Sequence, residues 1–183
     1  MLMIITISGM PGSGKTSVAK YLAKKLKFKH YSVGDFMREM AIDNKVSLKD
    51  LSKLAEKKED IDKALDEWQI NLGRTKDNFV IDSRLGFYFI PNSFKVRLDG
   101  DVEERARRIS QDKRQGEKKY DSLEQAKEYI LSRQKSEKKR YKKYYNLDYE
   151  NKNNFDIVVD TTNISISEVG EKIIGELKKR KLA

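Results

Sequence analysis

The amino-acid sequence predicts an α/β fold in which helices cover both faces of a doubly wound, five-stranded parallel sheet. Apolar, β-branched segments alternate along the 183 residues with segments whose apolar residues recur at helical spacing. A glycine-rich loop joins the first predicted strand to the first predicted helix, and later strands end in aspartates. Because right-handed crossovers keep the strands parallel, these strand ends meet at one edge of the sheet, where ligands bind.

The first strand is predicted over residues 2–8, and the loop after it fits the pattern G-x-x-x-x-G-K-[ST]. Glycines let successive backbone N–H groups converge on an anion, and the N-terminus of the following helix adds partial positive charge. We therefore expect a nucleoside triphosphate on this loop, with Lys15 reaching its β- and γ-phosphates and the Thr16 hydroxyl binding Mg²⁺. The residues predicted to bind the triphosphate are Gly9, Met10, Pro11, Gly12, Ser13, Gly14, Lys15, Thr16 and Ser17.

The next part of the chain is mainly helical. Its predicted elements are a helix ending near residues 26–27, a strand over 29–33, a helix capped by Asp35, a helix opening at a capping box at 47–50 and a helix over about 60–72. The excursion over residues 35–75 is too long for a simple crossover. It therefore predicts a small helical subdomain at the edge of the sheet.

The second half of the chain returns to alternating strands and helices. The predicted elements are strands over 78–82, 94–98 and 155–159, and helices that follow Asp101 as far as Arg114, Ser122 as far as about Tyr145, and Ser165. Asp82 ends the third strand beside the phosphate loop, where an acid can orient Mg²⁺. The length of the chain suits a single domain over residues 1–183.

Composition narrows the possible functions. The absence of cysteine excludes disulfides and thiolate metal sites, and no apolar run is long enough to cross a bilayer. The apolar N-terminus lacks a basic leader and leads directly into the phosphate loop, so we interpret it as a core strand. We expect a cytoplasmic monomer in which the single histidine, His30, is structural.

The net charge of +10 is concentrated in one segment. Residues 105–143 hold 15 Lys and Arg against 6 Asp and Glu. This excess suits polyanionic small substrates, nucleic acid or a solvated helix surface. Arg105 and Arg108 share a helix face before a charged turn, where a mobile basic flap could close over phosphates and stabilise charge during transfer.

Four arginines stand out in a chain that otherwise prefers lysine: Arg38, Arg84, Arg133 and Arg140. A guanidinium can bind a phosphate through two hydrogen bonds, which lysine does less well. Arg133 and Arg140 share a helix face with Glu137 between them, an arrangement that also fits an ordinary surface salt-bridge ladder. No general base is evident near the loop. An acceptor that is already an oxyanion is therefore favoured over an alcohol.

Together the phosphate loop, the S-x-G-D-x-x-R segment at 32–38, the S-R-L-G segment at 83–86 and the helix with Arg133, Glu137 and Arg140 resemble archaeal-type cytidylate kinases of the nucleoside monophosphate kinase family. The likeness runs from residue 3 to about 176. It implies transfer of the γ-phosphate of ATP to CMP or dCMP.

The resemblance also implies a role for each part of the site. Residues 35–75 would form the monophosphate-binding subdomain, and about 108–122 a short lid associated with Arg105 and Arg108. Thr161 would lie near the adenine. The side chains implied in catalysis are Lys15, Arg105, Arg108 and Arg133, and those implied in binding the acceptor are Asp35, Arg38, Arg84, Arg133, Glu137 and Arg140.

Two alternatives remain open at this point. One is a kinase for another small phosphate acceptor. The other is an ATP-dependent, RNA- or ribosome-associated factor of the adenylate kinase-like type, since one fold supports several functions. The latter predicts exposed aromatic side chains for base stacking within the basic segment. The candidates are Tyr120, Tyr129, Tyr141, Tyr144 and Tyr145, although Tyr141 and Tyr145 are spaced to pack on each other.

Overall fold

The fold is built on a five-stranded sheet whose strands are all parallel, in the order β2-β3-β1-β4-β5. The computed structural model describes residues 3–46, 50–51, 54–55, 59–111 and 120–182. The strands are β1 (Ile4–Gly9), β2 (Lys29–Ser32), β3 (Phe79–Asp82), β4 (Phe94–Asp99) and β5 (Ile157–Asp160). The five-stranded parallel sheet that the sequence predicts is therefore confirmed.

The helices largely follow the predicted ones. They are α1 (Lys15–Leu26), α2 (Val33–Asp43), α3 (Glu59–Thr75), α4 (Gly86–Phe89), α5 (Val102–Gln111), α6 (Leu123–Tyr145) and α7 (Ile166–Lys179), with a 3₁₀ turn at Lys152–Asn154. The sequence did not indicate the short α4. Within the described residues none of these helices is both long and apolar enough to cross a membrane.

Helix caps explain where several of these helices begin. Ser122 and Ser165 accept hydrogen bonds from Gln125 N and Glu168 N, both at 3.2 Å, and Asp101 Oδ1 accepts from Glu103 N at 2.8 Å. Each such cap contributes about 1 kcal/mol. These three predicted caps are confirmed.

One predicted cap was wrong. Asp35 lies in the first turn of α2, and the cap is Ser32, whose extended backbone lets its hydroxyl accept from Asp35 N at 3.3 Å. The predicted capping box at 47–50 and the charged turn at 116–120 fall mostly outside the described residues.

Two apolar clusters hold the sheet between its helices. On one face Ile5 and Ile7 of β1 are completely buried beneath α1 and α7, which contribute Leu22 and Ile173. On the other face β3 and α3 form a second cluster that includes Phe79 and Leu72. Alternate side chains of each strand supply the two faces, as a sheet buried on both sides requires. This packing fixes the carboxyl edge of the sheet, where the candidate site lies.

Candidate active site

The glycine-rich loop at the end of β1 has the backbone conformation of a phosphate cradle. Gly9, Gly12 and Gly14 all have positive φ angles, of 144°, 78° and 84°. A Cβ at Gly9 would lie 2.3 Å from the Leu98 carbonyl oxygen, and one at Gly12 2.4 Å from that of Arg105. Both positions therefore require glycine for space as well as for conformation. The turn leads directly into the N-terminus of α1, which can stabilise an anion.

Other residues of the loop anchor it. Pro11 and Ser13 are buried, and Ser13 N donates to the Met10 carbonyl at 3.2 Å. Met10 packs with Leu85, Phe87, Tyr141 and Tyr149 in an apolar cluster beneath the loop. Ser17, by contrast, is exposed on α1. The loop is thus anchored on the side of this apolar cluster.

Lys15 folds back over this loop. Its Nζ donates to the carbonyl oxygens of Gly9 and Met10, both at 2.9 Å. Burial, and next the positive charge of Arg84, lower the pKa of Lys15 well below its usual value, while Asp82 and Glu137 oppose the shift. An anion bound beside Lys15 would relieve this cost. The lysine is consequently placed to receive a phosphate.

Asp82 lies at the carboxyl end of β3, where it is only 5% exposed. Its Oδ1 accepts from Thr16 Oγ1 and Ser32 Oγ, both at 3.1 Å, and its Oδ2 lies 2.8 Å from His30 Nε2. The carboxylate predicted for Mg²⁺ therefore sits directly beside the predicted hydroxyl ligand. His30 holds this carboxylate, a contact that the sequence did not reveal because the two residues are far apart in the chain.

This pair of oxygens fits Mg²⁺. Within the described ranges no group of three or more His, Cys, Asp or Glu is placed to hold a metal. Mg²⁺ does not need such a group in phosphate sites, because it keeps several waters and is bound by one or two carboxylates together with substrate phosphates. One carboxylate and one hydroxyl beside a phosphate loop are the protein ligands that this mode requires.

Arg84 brings a second cation to the same loop. Its Nη1 donates to the Gly9 carbonyl at 2.6 Å, the oxygen that also accepts from Lys15. Its Nε forms an ion pair with Glu137, and Arg133 Nε donates to the other oxygen of Glu137 at 3.0 Å. Burial alone would raise the pKa of Glu137, but the charges of Arg84 and Arg133 hold it below its usual value. The buried carboxylate thus gathers two arginines next to Lys15.

The remaining residues predicted to bind the acceptor form two further ion pairs. Arg38 pairs with Asp35 one turn earlier in α2. Arg140 Nε lies 3.3 Å from Oδ2 of Asp62, a buried carboxylate of α3. Asp62 was not recognised in the sequence, because only the packing of α3 against α6 shows that it faces Arg140.

Arg105 differs in position from the prediction. It is buried, and its side chain donates to the carbonyls of Gly100 at 2.9 Å and Pro11 at 3.4 Å. Arg105 therefore supports the phosphate loop from the side of α5. A residue of a mobile flap would not be buried in this way. The reason is that α5 packs directly on the loop, so that Gly12 meets the backbone of Arg105.

Arg108 and Thr161 contact each other on the same side of the loop. Arg108 donates to Thr161 Oγ1 at 3.0 Å and to its carbonyl at 2.6 Å, and Glu104 accepts from Arg108 Nε at 2.8 Å. Thr161 Oγ1 also lies 3.3 Å from the Ser13 carbonyl. These contacts connect the end of β5 to the phosphate loop. Residues 112–119 of the predicted lid lie outside the described residues.

The tyrosines of the basic segment are mainly packed on one another. Tyr141 is buried, with its ring centroid 5.2 Å from that of Tyr149 and 6.2 Å from that of Tyr145. The rings of Tyr120 and Tyr129 lie 5.3 Å apart in a small cluster with α5. Stacking of nucleic-acid bases needs an accessible ring face. This packing therefore weakens the RNA alternative.

Three comparisons with known proteins agree with this geometry. A family model described as an AAA domain matches residues 5–141. The chain is 32% identical to a cytidylate kinase of Methanosphaera stadtmanae over 97% of this chain and 96% of that protein. It is 36% identical to a cytidylate kinase of Sulfurisphaera tokodaii over 93% of each. A solved shikimate kinase from Bacteroides thetaiotaomicron has a TM-score of 0.68 at 12% identity, covering 97% of this chain and 99% of that one, which shows a shared fold.

Proposed function

Because the chain belongs to the cytidylate kinase family, we propose that it transfers the γ-phosphate of ATP to CMP or dCMP, giving ADP and CDP or dCDP. The observation that carries this proposal is the shared Gly9 carbonyl, which accepts from Lys15 of the triphosphate loop and from Arg84 of the acceptor cluster. The cations that we assign to the donor phosphate and to the acceptor phosphate therefore meet at one oxygen. Two phosphates bound there would be adjacent.

Transfer in this site depends on positioning and charge. The loop N–H groups and Lys15 would hold the γ-phosphate, and Arg84, Arg133 and Arg38 would hold the phosphate of the acceptor. A phosphate monoester is largely dianionic at pH 7, so its oxygen is ready to attack without losing a proton. The arginines would lower the repulsion between the two anions and stabilise the charge on the transferring group.

Thr16 and Asp82 would hold the magnesium ion of MgATP. When bound, Mg²⁺ supplies charge neutralisation at the β- and γ-phosphates. His30 and Ser32 fix the orientation of Asp82 for this task, since partners of a ligating carboxylate set its position. With these three side chains on its oxygens, Asp82 is better suited to binding the metal than to abstracting a proton from an alcohol.

We assign supporting roles to the residues around the adenine side. Arg105 would stiffen the phosphate loop through Pro11, and Arg108 would hold Thr161 beside the entry for the adenine. Residues 35–75 would close over the acceptor, and about 108–122 over the phosphates.

An ADP-release assay tests the proposal. MgATP is offered with CMP, dCMP, UMP, AMP or GMP, each separately, together with a control without acceptor. We expect turnover with the cytidylates that far exceeds the turnover with any other acceptor. Equal and slow hydrolysis in every mixture, stimulated by structured RNA, would overturn the kinase proposal and favour the RNA-associated alternative.

A further inference from the structure

A polar stripe on α3 faces α6 beside the candidate site. Asp62, Asp66 and Gln69 have the spacing that puts side chains on one helix face. Asp62 pairs with Arg140, Asp66 Oδ2 accepts from Tyr145 Oη at 2.5 Å, and Gln69 Oε1 accepts from Ser83 Oγ at 2.5 Å. Asp62 and Asp66 therefore contact α6, at Arg140 and at Tyr145 near the C-terminus of that helix, whereas Gln69 contacts the residue before Arg84.

The Asp62–Arg140 pair lies next to the acceptor-phosphate cluster, which consists of Arg84, Arg133 and Glu137. Glu137 gathers Arg84 and Arg133, and Arg140 follows it by three residues on the same helix. Arg140 lies seven residues after Arg133, so with a rise of about 1.5 Å per residue its axial offset from that arginine is about 10.5 Å. A nucleotide whose phosphate rests on Arg84 and Arg133 could thus reach the pair with its base, with the ribose between them.

The chemistry of the pair does not suit another phosphate. Asp62 is only 7% exposed, and a buried carboxylate repels an anion. It does suit a group that donates hydrogen bonds next to groups that accept them. A carboxylate is an acceptor only, and a guanidinium is a donor only.

Cytosine presents this pattern on one edge: its 4-amino group donates, and N3 and O2 accept. We propose that Asp62 accepts a hydrogen bond from the 4-amino group of the acceptor while Arg140 donates to N3 and O2, so that this pair selects cytosine over uracil. Uracil would bring O4 against the carboxylate and N3–H against the guanidinium, leaving buried polar groups unmatched. Such mismatches discriminate more strongly than a difference in shape.

An exposed aromatic side chain near this part of the site can contact the pyrimidine ring of the acceptor. Tyr88 lies on α4 four residues after Arg84, is 44% exposed, and has its ring centroid 5.9 Å from that of Tyr145. An accessible tyrosine near the acceptor can stack on a pyrimidine of either kind. Stacking would add affinity, and the hydrogen bonds of Asp62 and Arg140 would add selectivity.

This inference rests on the proposed function, and its test separates the two. The kcat/KM values for CMP, dCMP and UMP are measured for the wild type and for Asp62→Asn. The amide can donate to O4 of uracil, so we expect the CMP-to-UMP ratio to fall by about 100-fold or more. The CMP-to-dCMP ratio should stay unchanged, because the pair reads the base and not the sugar.

Asp66→Asn is the matched control, one turn further along α3. It makes the same chemical change and should leave the CMP-to-UMP ratio unaltered. Arg140→Lys is a second variant for the case that Asp62→Asn does not fold. It keeps a positive charge beside Asp62 but loses the planar fork, and it should also lower the ratio.

The outcomes distinguish the two proposals. A wild type that phosphorylates no cytidylate would overturn the proposed function. A wild type that selects CMP, together with an Asp62→Asn variant that loses activity on CMP and UMP to the same degree, would overturn only the base-reading role. In that case the Asp62–Arg140 pair would be a structural link between α3 and α6.

Discussion

The proposed triphosphate site is one continuous segment, residues 9–17, whereas the side chains proposed for the acceptor come from four distant parts of the chain. The loop depends on backbone geometry, with positive φ angles at three glycines and two positions that have no room for a Cβ. The acceptor side depends on balanced charge, with Glu137 between Arg84 and Arg133 and with Asp62 on Arg140. The backbone geometry of the loop fixes where an anion binds. The charged side chains on the acceptor side can differ from one acceptor to another.

The largest effect should come from the donor side. Replacing Lys15 with methionine removes the cation over the loop while keeping the length of the side chain. We expect kcat to fall by at least about 10³-fold, because the charge on the transferring phosphate loses its main protein partner. The measurement is single-turnover transfer from labelled ATP, with binding of CMP by calorimetry as the control. A variant that retains more than a tenth of wild-type kcat would contradict the role of Lys15.

A smaller and more selective effect is expected on the acceptor side. Arg84→Ala should raise the KM for CMP by about 10- to 100-fold, the worth of a charge-assisted hydrogen bond, and should change the KM for ATP much less. Steady-state kinetics with each substrate varied in turn measures both. Lys20→Ala, which removes a cation at an exposed position of α1 outside the predicted site, is a suitable control. Equal changes in the two KM values would place Arg84 on the donor side.

His30 should affect the metal dependence. His30→Ala leaves Asp82 with only its two hydroxyl partners, so we expect the Mg²⁺ concentration for half-maximal activity to rise by about 10-fold. Activity at saturating Mg²⁺ should recover most of its wild-type value. The test is a magnesium titration at fixed ATP. An unchanged half-maximal concentration would mean that His30 serves only the packing of β2.

The smallest expected effect concerns stability. Burial raises the pKa of Asp66 from 3.8 to about 6, despite the bond from Tyr145, so the folded state favours the neutral carboxyl. Stability is then lost as pH rises from about 4 through about 6, and Asp66→Asn removes this loss. We expect the variant to gain about 1 kcal/mol in unfolding free energy at pH 7.5, allowing for solvent screening.

Urea unfolding of both proteins at pH 4 and at pH 7.5 measures this gain. The difference should be close to zero at the lower pH. A variant that is less stable than the wild type at pH 7.5 would show that the charged carboxylate stabilises the link between α3 and α6.

The same contrast explains what the sequence could predict. A phosphate loop is a local motif between a strand and a helix, so its residues and the parallel sheet around it follow from spacing alone. The pair of Glu137 and Arg133 could be inferred from helical spacing on α6, whereas the pair of Glu137 and Arg84 could not. Asp62 and His30 gave no such signal, because each acts through a partner brought close only by packing. Arg105 was placed wrongly for the same reason, since its burial depends on how α5 rests on the loop.

The central claim is that Lys15 and Arg84, which meet at the Gly9 carbonyl, hold the donor and acceptor phosphates next to each other. Calorimetry with a bisubstrate analogue, in which five phosphates join adenosine to cytidine through their 5′ oxygens, tests it most directly. We predict binding at least about 100-fold tighter than that of ATP, because the second site is reached within one molecule. This gain should be reduced in both Lys15→Met and Arg84→Ala. An analogue that binds no tighter than ATP, and equally well to Arg84→Ala, would contradict the account.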